Sequence, residues 1–326
     1  MSGLRVGVLG CSSFALRRML PAMRAATGIE PVAVASRTAA KAERAAAGAG
    51  VRAVTGYQAL LDLPGLDAVY VPLPAGLHAE WVERALLAGK HVLAEKPLTT
   101  SYRDTARLMR LAGERGLVLA ENFMFRHHPQ HRRIRDWIKD GELGPVHAFH
   151  GVFGIPPRPA GDVRLDPALG GGALLDVGVY PLRAARLLLG EPLTVVGASL
   201  RRDAGHGVDV HGSALLRTPS GITVTVTFGL GHAYQASYDV WGGGGRTRAE
   251  RAYTPPPEHV ARLRLDRQDL PPVETEVPPA DQAVAALESF AAAIAAGGLD
   301  PAERRDTVAH AALVDEVMAA AGEARP

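Results

Sequence analysis

The sequence contains a single cysteine, Cys11, among its 326 residues. An internal disulfide is therefore excluded, and a chain long enough for two hydrophobic cores needs none. Only 5% of the residues are aromatic, and the charges nearly balance, with 36 Lys plus Arg against 34 Asp plus Glu. This balance excludes a general electrostatic field for holding nucleic acid or an anionic membrane. We expect a protein of the reducing cytoplasm whose anion sites are local.

Long hydrophobic runs are also missing. The apolar stretch 68–73 is interrupted by Pro72 and followed by Pro74, and it is far below the ~18–20 residues that a bilayer span requires. The N-terminal residues lead directly into an apolar strand pattern without a basic start or a cleavage site, so no signal peptide is expected. The composition, 47% apolar and 21% charged, is typical of a folded globular protein.

The first part of the chain alternates short β-branched runs with helical patterns. Strands are predicted at Leu4–Leu9, Pro31–Ala35, Ala68–Val71, His91–Ala94 and Leu117–Glu121, with a weaker one at Val51–Val54. Helices are predicted at Phe14–Ala26, Ala39–Ala47, His78–Ala88 and Tyr102–Arg115. The alternation is typical of a doubly wound parallel sheet. Residues 1–122 are therefore predicted to form an α/β Rossmann domain.

After Asn122 the pattern changes, because the alternating runs Ile222–Phe228 and Ala236–Trp241 follow one another with only turn residues between them. This indicates an open, mainly antiparallel sheet. Helices are predicted at Pro129–Lys139, Ala173–Leu189, Asp281–Ala295 and Pro301–Ala321, and we expect them to pack on one face of that sheet and against the first domain. Residues 123–326 are predicted to form an α+β domain for substrate binding and oligomerisation.

A candidate dinucleotide loop follows the first strand. Gly10, Ser12 and Ala15 occupy the three fingerprint positions, with serine in place of the middle glycine. Gly10 permits a tight turn, Ala15 permits close packing of helix on strand, and the amides of Ser12, Ser13 and Phe14 can bind pyrophosphate at the helix start. Cys11 completes the loop. The alternative is an ordinary turn of small residues.

The end of the second strand indicates which cofactor the loop would hold. An NAD-specific protein usually has an acidic residue there, whereas this chain has Ser36, Arg37 and, one turn later, Lys41. These residues can hydrogen-bond and neutralise a 2′-phosphate, which favours NADPH over NADH. The alternative is that Arg37 and Lys41 are solvated surface charges.

A lysine stands at the carboxyl end of the fifth strand, in Glu95-Lys96-Pro97, where ligands of open α/β sheets bind. Together with Val71-Pro72-Leu73-Pro74 and His78, this segment resembles the glucose-fructose oxidoreductase / inositol dehydrogenase / MocA family. A second match runs from Gly170 to Tyr180 and resembles that family's glycine-rich turn into a helix with Asp-x-Gly-x-His. The resemblance covers the whole chain and implies a Rossmann domain followed by an α+β domain.

Tyr180 departs from this pattern, because most of the family has histidine there. The departure makes the chain similar to one subgroup, the dTDP-sugar C-3 ketoreductases of deoxysugar antibiotic biosynthesis. Further residues of this likeness are Arg17-Arg18, Glu121-Asn122-Phe123-Met124-Phe125, His127-His128-Pro129-Gln130-His131 and Gly178-Val179-Tyr180-Pro181. The resemblance implies NADPH-dependent reduction of a 3-keto group on a nucleotide-linked 3,4-diketo-2,6-dideoxyhexose, with Lys96 and Tyr180 as the catalytic residues.

The chemistry fits these residue types, because hydride transfer to a ketone creates an alkoxide that must be stabilised and protonated. Lys96 can donate to the oxygen as an ammonium, and Tyr180 is a competent acid toward an alkoxide. Asp176 lies four residues before Tyr180, so on a regular helix both side chains share a face. Further expected cofactor contacts are Leu73, His78, Glu95, Arg164 and Asp176. The structural alternative for Lys96 is a local ion pair with Glu95, and for Tyr180 it is a core position with its hydroxyl satisfied.

Expected substrate contacts are Arg18, Lys96, Asp176, Tyr180, Tyr234 and Tyr238, the last two because even spacing on a strand would place both rings on one face for stacking on a base. The histidine-rich segment 127–131 looks like a metal site, but Pro129 interrupts it and no further ligand completes a tetrahedral set, so no metal is expected.

A homo-oligomer formed through the second sheet, a dimer or tetramer, is expected. The alternatives are a dehydrogenase of free sugars or cyclic polyols and a non-catalytic NADP-binding sensor.

Overall fold

The computed structural model describes residues 3–322 of the chain, which form two compact units. The first unit comprises the residues up to Phe123 together with Ala283–Ala311. The second comprises Met124–Gln282 and the residues from Ala312 onward. Met1 and Ser2, on which the expectation about a signal peptide partly depends, lie outside the described residues.

The first unit contains a six-stranded sheet in the order β3-β2-β1-β4-β5-β6. Every pair is parallel, and the order is that of a doubly wound dinucleotide-binding sheet. Its strands are β1 (Leu4–Leu9), β2 (Ile29–Ser36), β3 (Arg52–Thr55), β4 (Ala68–Val71), β5 (His91–Glu95) and β6 (Leu119–Asn122). Its helices are α1 (Leu20–Ala25), α2 (Ala39–Ala49), α3 (Tyr57–Leu61), α4 (His78–Leu87) and α5 (Tyr102–Glu114).

The central strands of this sheet form because their residues are apolar on both faces. All four residues of β4 are buried, as are Val92 to Ala94 in β5. Val69, Val71, Val92 and Ala94 share one hydrophobic cluster with Leu9, Leu86 and Leu108. α5 begins where Ser101 caps it by accepting a hydrogen bond from the amide of Asp104. The predicted α/β architecture of this unit is confirmed. The short helix α3 was not predicted.

The second unit is built on an eight-stranded sheet in the order β14-β13-β12-β11-β7-β10-β9-β8. Its strands are β7 (Val146–Ile155), β8 (Thr194–Arg202), β9 (Asp209–Arg217), β10 (Thr223–Leu230), β11 (Gln235–Gly242), β12 (Gly245–Ala249), β13 (Ala261–Arg267) and β14 (Leu270–Val277). β7 and β10 run parallel, and all other neighbours are antiparallel. The predicted mainly antiparallel sheet is confirmed. The unit also contains α6 (Pro129–Lys139) and α7 (Val179–Leu189).

Six strands of this sheet were not predicted individually. In β13, for example, buried Leu263 and Leu265 alternate with exposed Arg262 and Arg264. This alternation is typical of a strand with one solvated face, and it differs from the β-branched runs of the first unit.

The last two helices, α8 (Gln282–Ala295) and α9 (Pro301–Ala320), differ from the expectation. Almost all of α8 and the first half of α9 group with the first unit, whereas the sequence had assigned all of 123–326 to the second domain. Contacts distant in sequence cause this grouping. The Glu288 carboxylate accepts from the amide of Thr27 at 3.0 Å, and the rings of Phe123 and His310 lie 5.4 Å apart.

Candidate active site

The loop after β1 has the geometry of a dinucleotide turn. Gly10 has φ +131°, and a Cβ at this position would lie 2.9 Å from Cδ2 of Leu73. Only glycine meets both requirements without strain. The hydroxyl of Ser12 accepts a hydrogen bond from the amide of Ala15 at 3.1 Å, and Ala15 is fully buried. The small residues at positions 10 and 15 are therefore required by backbone conformation and packing.

The first turn of the following helix, Ala15–Met19, is a wide π-type turn. Ser13 and Phe14 precede it with exposed side chains, and Arg18 within it is half-buried. Wide turns of this kind occur often at functional sites. The loop thus has exposed side chains at a helix start, which suits an anionic ligand.

Cys11 connects this loop to the end of β2. Its buried thiol donates to the carbonyl of Ala35 at 3.4 Å. Burial raises the pKa of Cys11, and the charge of Lys41 and a hydrogen bond with Ser36 partly oppose that rise, so both residues lie near the thiol. Ser36 is buried, whereas Arg37 and Lys41 are exposed. The structure thus gathers the predicted 2′-phosphate residues beside the predicted turn.

His78 stands at the start of α4 but points inward. Its ring is 1% exposed, with Nε2 2.7 Å from the carbonyl oxygen of Leu73 and Nδ1 3.0 Å from that of Pro97. Burial lowers the pKa of His78, and the neighbouring charge of Lys96 lowers it further, although hydrogen bonds to backbone carbonyls oppose this. His78 therefore links the loop after β4 to the residue that follows Lys96.

Lys96 follows β5 and is half-buried. Beside it, Oε1 of Glu95 accepts hydrogen bonds from the hydroxyl of Tyr70 and from Nδ2 of Asn122, both at 2.7 Å. Burial raises the pKa of Glu95, while these two bonds and the charge of Lys96 partly lower it. The Glu95 carboxylate joins the ends of three adjacent strands next to the Lys96 ammonium. Neither Tyr70 nor Asn122 was predicted as a site residue.

In the second unit, the glycine turn at 170–172 is fixed by contacts that exclude side chains. A Cβ on Gly171 would lie 2.6 Å from the carbonyl oxygen of Arg164, and a Cβ on Gly172, at φ +122°, would collide with the Asp209 carboxylate. Asp209 also accepts from the amide of Leu174 at 2.6 Å. It therefore caps the helix that carries Asp176 and Tyr180. No sequence pattern indicated Asp209.

Arg164 and Asp176, predicted as separate ligand contacts, are bonded to each other. Nε of Arg164 lies 2.6 Å from Oδ2 of Asp176, and its Nη1 lies 3.1 Å from Oδ1 of Asp162. Burial alone would lower the pKa of Arg164, but the two carboxylates raise it above its usual value. Arg164 is therefore a permanent cation bound to Asp176.

The turn between Asp176 and Tyr180 differs from the regular helix that the sequence predicted. Leu174–Gly178 is a second wide turn, in which the amide of Val179 donates to the carbonyl of Leu174. In this turn the Asp176 side chain is directed to Arg164.

Tyr180 lies in α7 within a group of aromatic rings and is 9% exposed. Its ring centroid is 5.1 Å from that of Phe153, 5.6 Å from that of Tyr253 and 5.8 Å from that of Phe125. Phe153 packs edge-on, at an interplanar angle of 84°. The rings fix the plane of the phenol by shape.

The expectation that Tyr234 and Tyr238 share a strand face is wrong. Tyr234 precedes β11 and is 43% exposed, whereas Tyr238 lies within β11 and is fully buried. The hydroxyl of Tyr238 is 2.7 Å from Nδ1 of His131, and its ring stacks on Phe149. Tyr238 therefore presents no surface on which a base could stack.

No cluster of three or more His, Cys, Asp or Glu side chains in residues 3–322 has the geometry to hold a metal ion. No helix in the same part of the chain is both long and apolar enough to cross a membrane.

Two family models match successive parts of this chain. Residues 4–123 match the GFO/IDH/MocA "Oxidoreductase family, NAD-binding Rossmann fold", and residues 131–248 match the GFO/IDH/MocA C-terminal domain. The dTDP-3,4-didehydro-2,6-dideoxy-alpha-D-glucose 3-reductase of Saccharopolyspora spinosa is 51% identical over 328 residues, covering 99% of this chain and 97% of that protein. The protein of the same name from Streptomyces violaceoruber is 54% identical over 297 residues, covering 90% and 86%.

A solved structure also matches closely. The 3-ketoreductase from Actinomadura kijaniata, in complex with NADP and TDP-benzene, has a TM-score of 0.95 at 47% identity and is covered over 98% of both chains. The chain therefore belongs to the GFO/IDH/MocA oxidoreductase family.

Proposed function

We propose that this protein is an NADPH-dependent ketoreductase that reduces the C-3 keto group of a dTDP-linked 3,4-diketo-2,6-dideoxyhexose. The observation that carries the proposal is the position of Lys96 at the carboxyl end of β5, in the same unit as the dinucleotide turn. The chain also matches 3-reductases of such sugars over nearly its whole length. Proteins of that name from four organisms share 47–54% of their residues with this chain.

The residues of the first unit fit NADPH. A cradle that a Cβ at Gly10 would fill lies beside the exposed cations Arg37 and Lys41, and the amides of Ser13 and Phe14 stand at a helix start. Arg37 and Lys41 would hold a 2′-phosphate, since each supplies charge-assisted donors. Leu73 and Glu95 are the further contacts that we assign to this ligand in the first unit, and Arg164 and Asp176 those in the second. His78, which was expected among them, instead supports the loop from inside, because it is 1% exposed and both its ring nitrogens face backbone carbonyls.

When bound, NADPH supplies the hydride. The carbonyl oxygen then gains negative charge, and donors aimed at that charge lower the barrier. We assign stabilisation of this oxygen to the Lys96 ammonium, which lies near the Glu95 carboxylate. We assign delivery of the proton to Tyr180, whose ring the surrounding aromatic side chains hold in place. Arg18, Asp176 and exposed Tyr234 remain candidates for contacts to the nucleotide-linked sugar.

The test incubates the protein with NADPH and an enzymatically generated dTDP-3,4-diketo-2,6-dideoxyhexose. We expect NADPH oxidation together with a product two hydrogens heavier, and a strong preference for NADPH over NADH that Arg37→Ala lowers by about tenfold. Glu30→Ala, at an exposed site on β2, serves as control. Absence of turnover with this substrate, with turnover of a free aldose and NADP, would favour the sugar dehydrogenase alternative. A D-xylose 1-dehydrogenase (NADP(+)) of Haloferax volcanii, 36% identical over 318 residues, motivates that comparison.

We also propose that the protein acts in the cytoplasm as a homo-oligomer paired through the open face of the second sheet. Trp241 and Leu215 are 57% and 41% exposed on strands of that sheet, and exposed apolar side chains of this size are typical of an interface. Light scattering of the wild type and of Trp241→Arg tests this. The wild type should be a dimer or tetramer and the variant smaller.

A further inference from the structure

The histidine-rich segment 127–131 has no role in the function proposed above. His128 caps α6, because its Nδ1 accepts from the amide of Gln130 at 3.3 Å. His131 is 1% exposed and makes two contacts far along the chain. Its Nδ1 lies 2.7 Å from the hydroxyl of Tyr238, and its Nε2 lies 2.9 Å from the carbonyl oxygen of Ala252. The segment thus connects α6 to the loop that follows β12.

These partners determine the state of the ring. The carbonyl of Ala252 can only accept, so Nε2 of His131 carries the hydrogen and Tyr238 donates its hydroxyl hydrogen to Nδ1. Burial, together with the nearby charge of His128 and against a hydrogen bond to the Ala252 carbonyl, lowers the pKa of His131 to about 3, so the ring is neutral around pH 7. One tautomer therefore satisfies both partners.

The backbone around Tyr253 is held from several sides. The carbonyl oxygen of Ala252 also lies 3.3 Å from Nε2 of Gln130. The backbone amide of Ala252 donates to the carbonyl of Ala236 at 2.7 Å. Nε2 of Gln282 lies 3.5 Å from the carbonyl oxygen of Tyr253. The hydroxyl of Tyr253 donates to the carbonyl of Ser237 at 3.2 Å. The Tyr253 ring is therefore fixed in position and orientation.

That ring packs on Tyr180. The centroids are 5.6 Å apart, and Tyr253 also lies 5.1 Å from Phe153, the edge-on neighbour of Tyr180. His131 itself packs edge-on against Phe125 at 5.2 Å, and Phe125 lies 5.8 Å from Tyr180. Two chains of contact thus run from His131 to the Tyr180 ring, one through Tyr253 and one through Phe125.

We propose that His131 is a positioning residue for Tyr180, acting by anchoring the Ala252 carbonyl and with it the Tyr253 ring that packs against the phenol. This inference rests on the proposed function for its kinetic consequence, but its structural part is independent of it. His131 touches neither of the two proton-handling residues and acts only through the rings between.

The kinetic test is a double-mutant cycle. His131→Phe keeps a planar ring against Phe125 and removes both hydrogen bonds. It should lower kcat by about tenfold with the KM for NADPH unchanged, since displacing a reacting group slightly is costly in rate. In a Tyr180→Phe background the same substitution should lower the residual rate less than about twofold, because the group that it positions is gone. Equal losses in both backgrounds would overturn the proposal.

A second measurement does not depend on activity. In protein labelled with ¹³C-tyrosine, the ring resonances of Tyr180 are identified by their loss in Tyr180→Phe. His131→Phe should shift them, and His128→Asn, which keeps a helix cap, should not. Unchanged Tyr180 resonances in folded His131→Phe contradict the proposal. If the resonances move but the wild type shows no reductase activity, the proposed function fails while the positioning role stands.

If His131→Phe does not fold, Tyr253 provides the test. Tyr253→Leu removes the ring that packs on Tyr180 and should lower kcat by about tenfold. Tyr253→Phe keeps that ring and loses only the hydroxyl bond to Ser237, so it should lower kcat clearly less. Similar rates in these two variants would overturn the proposal.

Discussion

Lys96 and Tyr180 are held by different physical means. In the first unit, Lys96 follows a strand end where a desolvated carboxylate, Glu95, accepts two hydrogen bonds. In the second unit, Tyr180 is surrounded by rings. A charge in a buried environment needs polar partners, whereas the plane of a phenol is set by packing. Substitutions that remove a polar partner should therefore lower activity more at the Lys96 site. Substitutions that change side-chain shape should lower it more at the Tyr180 site.

The largest expected effect is loss of either functional group. Lys96→Ala should lower kcat by about 10²–10³, the usual cost of removing a donor to developing oxyanion charge. Tyr180→Phe, which keeps the ring and removes only the hydroxyl, should lower it by about 10²–10⁴. Steady-state kinetics with the keto-sugar measures both. Near-normal rates in both variants would exclude the mechanism while leaving the cofactor assignment intact.

The second effect concerns acid stability of the second unit. Since the pKa of His131 is lowered to about 3 in the fold, the unfolded chain binds this proton first as the pH falls below its usual value of 6.5. The contribution to stability is complete above pH 6.5 and is lost as the pH falls toward 3, by about 3 kcal/mol at pH 4.5. Urea unfolding midpoints of the wild type and His131→Phe, between pH 7.5 and 4.5, measure it. If the midpoints of the two proteins fall equally steeply as the pH is lowered, the prediction is wrong.

The glycine turns at Gly10 and Gly172 allow the same substitution to be tested in both units. Gly10→Ala meets Leu73 and Gly172→Ala meets Asp209, and both place an L side chain at a positive φ, so each should cost about 1–3 kcal/mol. Gly10→Ala should mainly weaken NADPH binding, measured by calorimetry, and Gly172→Ala should mainly lower kcat through the start of the Tyr180 helix. Gly28→Ala, at φ +79° with open space around it, is the control for backbone strain alone.

The smallest expected effect tests the polar network itself. Tyr70→Phe removes one hydrogen bond to Glu95 and should lower kcat/KM about tenfold, since a hydrogen bond to a charged group is worth about 1.5–3 kcal/mol. NADPH affinity should change little. Tyr102→Phe, at an exposed tyrosine of the same unit, should have no effect. A Tyr70→Phe variant with normal kinetics would show that Asn122 suffices to orient Glu95.

The elements predicted best from the sequence are those whose bounds are set by a local residue pattern. β1 and β4 have the predicted bounds because strands buried on both faces must be continuously apolar, and Pro129 marks the predicted start of α6. Sequence reasoning failed for Asp209, Tyr70 and Tyr253. Each acts through a partner remote in the chain, as Asp209 does through Leu174, 35 positions away, and no local pattern encodes such a pairing.

By itself, the sequence determined the Rossmann sheet, the turn at Gly10 and the placement of Lys96 after a parallel strand, because backbone conformation and two-sided burial restrict which residues can occupy those positions. Only the tertiary structure decided that His131 faces Ala252, 121 residues away, and that Tyr238 is buried rather than available to a ligand. His131 lies on α6, Tyr238 on β11 and Ala252 after β12, so only the packing of the whole unit brings these groups together.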